Sequence, residues 1–396
     1  MTARSRADAG RGTGPDGRTR AAAAGTLVGA ALAAGLAALA AAASPAPATA
    51  QAGLDRAGTG VRFHYVGFDD PTAARVENVS LLTVPLAGRA RLSDRITVQL
   101  GGYWARGSLE RPDGTTSTVS ALTDATLSAS LELGEGAATV TAVARLPTGQ
   151  SSYETGELDV VGLVAADLFP FRISSWGTGG GLGLQASTSR DLGAVDASLS
   201  LGYFRSGSFD PLEERLTDYR PGDRLSARAA LTTPVGDAGQ LGLQGGFRWF
   251  ADDELGGEDI FETGNRFDVL ATYSFPVGTD AAFVYGGYQR RSGGRRLQLQ
   301  EPTATQDLLL AGGGLRLRMG EVVLRPEADA RLVERADGRS EGWGIRVGGR
   351  AEWPVGGTTL VPLVRGHLGS VGPRPGVDSG FTGFEAGVTV RLGGGS

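Results

Sequence analysis

A regular alternation of apolar and polar residues runs through the chain from about Val61 onward, and no other feature constrains the fold as strongly. The stretch from Arg266 to Phe275 shows the pattern: Phe267, Val269 and Tyr273 are apolar, and most of the residues between them are polar. Successive side chains of a β-strand point to opposite faces of the sheet. Each such stretch therefore predicts a strand with one apolar face and one polar face.

Similar stretches recur to the end of the chain, for example around Leu199, Leu243 and Val347. They predict an all-β fold, an antiparallel transmembrane β-barrel of about 16 strands with a range of 14 to 18, since tilted strands of roughly 9 to 13 residues cross a bilayer. A soluble β-sandwich is the alternative, because its half-buried strands alternate in the same way. Charged residues in the middle of the polar faces favour the barrel.

The connections between the predicted strands are alternately short and long, as expected for periplasmic turns and outer loops. The predicted turns are at Ser93-Asp94, Gly134 to Gly136, Arg190 to Gly193, Gly236-Asp237, Gly278 to Asp280 and Gly356-Gly357. The predicted loops are Arg111 to Ser117, Thr148 to Thr155, Ser206 to Asp223, Ala251 to Gly264, Arg291 to Thr305, Arg335 to Glu341 and Ser370 to Gly380. This arrangement puts both ends of the barrel domain on the periplasmic side.

Residues 1–52 have the composition of a secretory signal peptide. Several arginines precede an Ala/Leu/Gly run from Ala21 to Ala43, and a segment with Pro45 and Pro47 ends in small residues at Ala50 and Ala52. This predicts export, cleavage near residue 52, and a barrel over residues 53–396 in the outer membrane of a Gram-negative bacterium. A retained membrane anchor is the alternative, because the apolar run is long for a signal peptide.

Composition argues against several functions. The net charge of -5 is unsuited to a general nucleic-acid binder, which needs a basic surplus. The chain has no cysteine and only two histidines, His64 and His367, each expected on the lumen face near the outer end of its strand. They fall on different strands and have no triad or dyad spacing, so we expect no enzyme activity, no metal site and no cofactor.

The polar faces carry more arginine than carboxylate, which predicts a positive lumen that favours small anionic solutes in a porin-like channel. The alternative is that these charges pair across neighbouring strands and close the lumen, leaving a structural or adhesive barrel. The residues predicted to line the lumen are Arg95, Arg228, Arg248, Arg266, Arg325, Arg331, Arg346, Arg350, Arg365, Glu327 and Asp329.

Two further segments bear on function. Residues 157–178 alternate poorly and contain Pro170, so they form either an extra bulged strand or a loop that folds inward. Acidic clusters such as Asp252 to Glu254 and Glu258-Asp259 are expected in solvated outer loops, where they could bridge divalent cations to lipopolysaccharide. The expected partners are therefore outer-membrane lipid, lipopolysaccharide and small solutes, while association into a homo-oligomer is left open.

The chain resembles Gram-negative outer-membrane barrels. A strand that ends in Leu146-Pro147-Thr148-Gly149 before a polar loop is similar to a motif of the porin-like family described as meta-pathway phenol-degradation outer-membrane proteins. That resemblance implies transport. The last strand, with Phe384, Ala386, Val388, Val390 and Leu392 on one face, resembles the insertion signal read by the barrel-assembly machinery. It departs from that signal because Leu392 is followed by Gly-Gly-Gly-Ser instead of ending the chain on an aromatic residue.

Overall fold

The computed structural model describes residues 53–392 except 135, 170, 213–216, 237, 336–339 and 375–376. The predicted signal peptide lies outside the described residues. None of the helices within these ranges has the length and apolar content needed to cross a bilayer.

The strands, in chain order, are β1 Gly53–Phe68, β2 Asn78–Arg91, β3 Ile96–Glu110, β4 Thr116–Leu122, β5 Ala125–Leu133, β6 Ala138–Leu146, β7 Gly181–Asp191, β8 Asp196–Ser206, β9 Tyr219–Arg220, β10 Arg224–Val235, β11 Gly239–Phe250, β12 Asp252–Leu255, β13 Glu258–Glu262, β14 Arg266–Val277, β15 Asp280–Arg291, β16 Arg295–Arg296, β17 Glu301–Pro302, β18 Gln306–Met319, β19 Val322–Arg335, β20 Ser340–Val355, β21 Thr358–Arg374 and β22 Val377–Leu392. The helices are α1 Pro71–Ala74 and α2 Thr155–Val164.

The long strands form a closed antiparallel barrel. Each pairs with the next long strand along the chain, and β1 also pairs with β22 over the register Ala57↔Leu392 to Phe68↔Phe381, which closes the cylinder. Strands β4 and β5 both pair with β3 and are one strand interrupted at Thr123 and Asp124. Counted in this way the barrel has 16 strands, which confirms the predicted fold class.

The connections differ between the two ends of the barrel. At one end, which we call the turn end, tight turns such as those at Gly278 (φ 62) and Gly356 (φ 58) join the strands, and residues 53 and 392 lie there too. These positive φ angles favour glycine, which has no Cβ to clash. The longer connections lie at the opposite, loop end. The predicted loop from Ser370 to Gly380 was wrong, because most of it extends β21 and β22 into a long hairpin.

The apolar stripes face outward. Along β20, Trp343, Ile345, Val347 and Trp353 are all exposed, with Val347 at 58%. On β14 and its neighbours the pattern is the same, and the stacked rings of Tyr273 and Phe275 lie near the turn end. The barrel therefore presents an apolar outer band with aromatic residues toward both of its ends.

Part of the loop end forms a second antiparallel sheet, in the order β17-β16-β13-β12-β9. Its strands come from the three connections that were predicted as loops between β8 and β18. Asp253 is buried and accepts hydrogen bonds from the Tyr219 hydroxyl (2.7 Å) and the Gly222 amide (2.8 Å). Burial and the hydrogen bond to Asp253 raise the pKa of Tyr219, so its hydroxyl remains a donor. This acidic cluster is therefore partly structural instead of fully solvated.

Candidate functional site

Residues 148–169 and 171–178, between β6 and β7, fold into the lumen, and we call them the inserted segment. The segment contains α2, which starts with a capping box in which the backbone amide of Glu154 donates to the carboxylate of Glu157 at 3.0 Å. Of the two interpretations open for residues 157–178, the structure shows the loop that folds inward. Its sequence alternates poorly because the segment consists of helix α2 and irregular stretches instead of a strand.

Both ends of the inserted segment are held at the interruption between β4 and β5. The Asp124 carboxylate accepts hydrogen bonds from the amides of Gly149 (3.1 Å) and Thr178 (2.8 Å). The Asp124 amide donates to the carbonyl of Trp176 (2.7 Å), and the Thr148 hydroxyl donates to the carbonyl of Thr123 (2.9 Å). The interruption at Thr123 and Asp124 frees backbone groups that bond to the inserted segment. It therefore fixes where the segment lies in the lumen.

The parts of the segment on either side of Leu168 and Phe169 pack on the lumen face of β2, β3 and β4. Trp176 is fully buried, and its Nε1 donates to the carbonyl of Ala105 (3.0 Å). A Cβ at Gly107 would lie 2.7 Å from the ring of Trp176, so glycine is required there. Burial raises the pKa of the Tyr153 phenol, which donates to the carbonyl of Gln150. The remaining buried members of this cluster are Leu81, Leu109, Val119, Val160, Val164 and Ile173.

The middle of the segment, at Leu168 and Phe169, contacts the strands that close the barrel. Leu168 and Phe169 are buried against Val66 and Phe68 of β1 and Phe381 of β22. The rings of Phe169 and Phe381 are 5.1 Å apart in an edge-to-face arrangement. This cluster continues to Leu308 and Val333. The segment therefore crosses the lumen from β2–β4 to β18–β22 and narrows the passage.

The two histidines meet in the lumen wall. The Nε2 atoms of His64 on β1 and His367 on β21 are 3.2 Å apart, and both side chains are buried. Strand β22 runs between them, and a Cβ at Gly383 would lie 2.3 Å from Nε2 of His367. One ring must donate and the other accept, so the contact requires at least one neutral imidazole. Their separation of 303 residues hid this contact from the sequence.

An ion-pair network surrounds Glu385, which is only 2% exposed. Its carboxylate accepts a hydrogen bond from Arg365 at 2.9 Å and lies 3.5 Å from Arg62 and 3.6 Å from Arg172 of the inserted segment. Arg365 also pairs with Glu327. The network continues along the wall through Arg346–Asp329 at 2.8 Å, Arg331–Asp329 at 3.9 Å, Arg325–Glu352 at 3.1 Å and Arg391–Glu352 at 3.7 Å.

The opposite wall has few carboxylates. Arg145 and Arg224 flank the buried ring of Phe204, with guanidinium carbons 5.0 and 5.4 Å from its centroid. Next to them, Arg248 pairs with Asp268 at 3.1 Å. Among the described residues, this is the one ion pair on the lumen face from β10 to β14.

Arg95, predicted to line the lumen, lies instead in the exposed turn between β2 and β3. The chain reverses there before β3 begins. The other predicted residues lie on the lumen faces of β10, β11, β14, β19, β20 and β21: Arg228, Arg248, Arg266, Arg325, Glu327, Asp329, Arg331, Arg346, Arg350 and Arg365.

Sequence reasoning missed the residues that depend on the inserted segment. Arg172 and Asp167 reach the lumen from the segment, and Asp124 anchors it. None of these positions belongs to an alternating stripe. The Thr123-Asp124 interruption between two alternating stretches was the available signal for the anchor.

Two cavities flank the inserted segment. One of about 1110 Å³ extends from Leu392 at the turn end to Trp176 and Arg224. The other, of about 600 Å³, lies between the segment and Arg331, Arg346, Arg350 and Arg365. Tyr103 and residues 172–174 line both. The segment therefore narrows the lumen without filling it.

No protein-family model and no curated protein matches the chain. Among solved structures, an engineered variant of the Rhodopseudomonas blastica porin is similar at 14% identity and a TM-score of 0.40, over 86% of this chain and 100% of that chain. The Pseudomonas putida protein OprB is similar at 8% identity and a TM-score of 0.46, over 86% and 92%. At such low similarity, it is this chain's own strand pairing that establishes the barrel. The likeness of Leu146 to Gly149 to the phenol-degradation family stays a prediction.

Proposed function

We propose that this chain is an outer-membrane channel for small solutes and that it favours anions. Its amino-terminal segment directs its export toward that membrane. The observation that carries the proposal is a closed barrel with an apolar outer surface and an arginine-rich lumen that retains two cavities beside the inserted segment. Soluble proteins do not expose a continuous apolar band of this kind.

The outer surface supports the membrane location. Apolar side chains such as Leu199, Leu243 and Val347 are exposed in the middle of their strands, and Trp343 and Trp353 lie toward opposite ends of β20. Aromatic residues at both edges of an apolar band are typical of barrels in a bilayer, where the rings lie at the two interfaces.

The surface argument makes a quantitative prediction. We expect Val347→Arg to destabilise the barrel by about 2 to 4 kcal/mol, the cost of a charged side chain on the lipid face near the bilayer midplane. The same change at Gln244, on the lumen face, should cost much less, because water solvates the charge there. Urea unfolding in lipid vesicles, followed by heat-modifiable migration, measures both. Equal costs would contradict the assignment of faces.

The lumen supports the channel and its selectivity. Arg145, Arg224 and Arg228 have no carboxylate within 4.0 Å in the described part of the chain, and neither does Arg350 beside the smaller cavity. Fixed positive charge in a confined aqueous passage raises the local anion concentration and repels cations. Many carboxylates on the lumen face are paired with arginines, but the described arginines on that face still outnumber the carboxylates.

Planar bilayers test the channel. In a salt gradient of potassium chloride, we expect a reversal potential of the sign that shows chloride to be more permeant than potassium. A preference for potassium would contradict the anion selectivity. The absence of any conductance would favour the closed structural or adhesive barrel.

Cysteine labelling provides an independent check of the open lumen, because the natural chain has no cysteine. Arg350→Cys should react with an anionic thiol reagent added to the bilayer, and the reaction should lower the current. Val347→Cys, three residues away on the outer face, is the matched control and should leave the current unchanged.

A further inference from the structure

Three arginines stand side by side on the lumen face at the loop end of the barrel. The strand register pairs Arg248 of β11 directly with Arg266 of β14, and Arg266 directly with Arg291 of β15. Residues paired across neighbouring strands point to the same face, with backbones about 5 Å apart. We call these three residues the arginine row. The row presents three guanidinium groups to one part of the lumen.

Such an arrangement is unfavourable by itself. Like charges directly opposite each other on adjacent strands repel and destabilise a sheet. In the network around Glu385 the arrangement is the opposite, because Arg365 lies between two carboxylates, Glu327 and Glu385. Arg325 and Arg350 are also directly opposed, on β19 and β20, but the row differs from that pair because it continues over three strands.

Little within the protein compensates the row. Asp268 accepts a hydrogen bond from Arg248 at 3.1 Å, while no described carboxylate lies within 4.0 Å of Arg266 or Arg291. Asp167 of the inserted segment attracts Arg266 from a longer distance. The Nε atoms of Arg248 and Arg266 are buried and have no hydrogen-bond partner among the described residues. The same holds for the Nε atoms of other lumen arginines, including Arg89 and Arg365, so the register of the row distinguishes it and these atoms do not.

We propose that the arginine row binds small polyanions, solutes that carry two or more phosphate or carboxylate groups. Guanidinium groups form paired, charge-assisted hydrogen bonds with both kinds of oxyanion. Adjacent groups in the row match neighbouring anionic groups of one solute, whereas a single chloride ion can engage only part of it. The proposal deepens the anion-selective channel by naming the substrate class, and it rests on that proposed function for its physiological role.

Equilibrium binding tests this proposal separately from conductance. The full barrel, refolded in detergent micelles, is titrated calorimetrically with inorganic pyrophosphate and with citrate at constant ionic strength, and with orthophosphate for comparison. We expect pyrophosphate or citrate to bind more tightly than orthophosphate. Arg266→Gln should weaken that binding by at least about ten-fold, which corresponds to about 1.4 kcal/mol. Arg89→Gln, which removes a lumen arginine near the turn end, should leave it nearly unchanged.

Stability provides the second measurement. Without polyanion, Arg266→Gln should unfold at a higher urea concentration than the natural chain, because it relieves repulsion in the row. Pyrophosphate or citrate should stabilise the natural chain more than the variant. Binding of pyrophosphate alone would assign the row to phosphates, and binding of citrate alone would assign it to carboxylates.

The proposal is overturned if neither polyanion binds, if Arg266→Gln binds as tightly as the natural chain, or if Arg89→Gln weakens binding equally. The last result would show a diffuse lumen charge instead of a site. A barrel that binds polyanions without conducting would overturn the channel and leave the row intact. A conducting, anion-selective barrel without polyanion binding would do the reverse.

Discussion

Trp176→Ala is expected to lower the free energy of unfolding of the barrel by about 3 to 5 kcal/mol, the range for removing a large aromatic side chain from a packed core. Trp176 is fully buried between the inserted segment and β3, and its Nε1 bonds to the carbonyl of Ala105. The substitution leaves a cavity and removes this hydrogen bond. The segment should also become looser, so the single-channel current should be larger and noisier.

Urea unfolding and single-channel recording measure these two effects. Trp353→Ala is the matched control, because Trp353 lies on the outer face at 53% exposure and does not touch the segment. We expect its current to be that of the natural chain and its stability loss to be smaller. Unchanged stability and current in Trp176→Ala would mean that the segment is not held in the lumen by this side chain.

Glu385→Gln is the second change with a large expected effect, again about 3 to 5 kcal/mol, because removing one partner of a buried ion pair leaves the remaining charges uncompensated. Glu385 is 2% exposed and is approached by Arg62, Arg172 and Arg365. Since Arg172 belongs to the inserted segment, the variant should also release that contact between the segment and the wall.

Glu352→Gln is the control for this prediction. Glu352 also pairs with two arginines, Arg325 and Arg391, but its side chain is 19% exposed and does not contact the inserted segment. Water screens part of its charge, so the stability loss should be smaller. If both variants lose the same stability and neither alters the current, Glu385 does not couple the segment to the wall.

Much of the barrel could be predicted from the sequence because a strand with one face in an apolar outer surface and the other in a polar lumen must alternate. The stripes around Leu199, Leu243 and Val347 specify which side chains face outward, and glycine-containing turns such as Gly356-Gly357 specify where strands reverse. Local patterns of this kind need no knowledge of distant residues. The loop predicted from Ser370 to Gly380 was wrong because its polar residues lie on strands that extend past the others.

The site was less predictable, because its features depend on which strands become neighbours. Strand register decides that Arg248, Arg266 and Arg291 stand abreast, and barrel closure brings His64 to His367. The inserted segment also alters the alternation of the strands that it contacts. Near the loop end, β1 and β2 carry apolar residues such as Val66 and Leu81 on their inner faces, where alternation alone predicts polar ones. These positions contact the segment and not water.

The seam between β1 and β22 is covered on its inner side by residues from the middle of the chain. Phe169 of the inserted segment packs against Phe68 on one side of the seam and Phe381 on the other. The two strands that meet there are the first and last of the barrel and lie far apart in the sequence. Their pairing therefore has a large entropic cost of loop closure. The docked segment gives both edges a common apolar surface, and this burial offsets part of that cost in the folded barrel. The element that narrows the lumen therefore also braces the first and last barrel strands from the inside, so that loosening it is expected to weaken the closure of the cylinder.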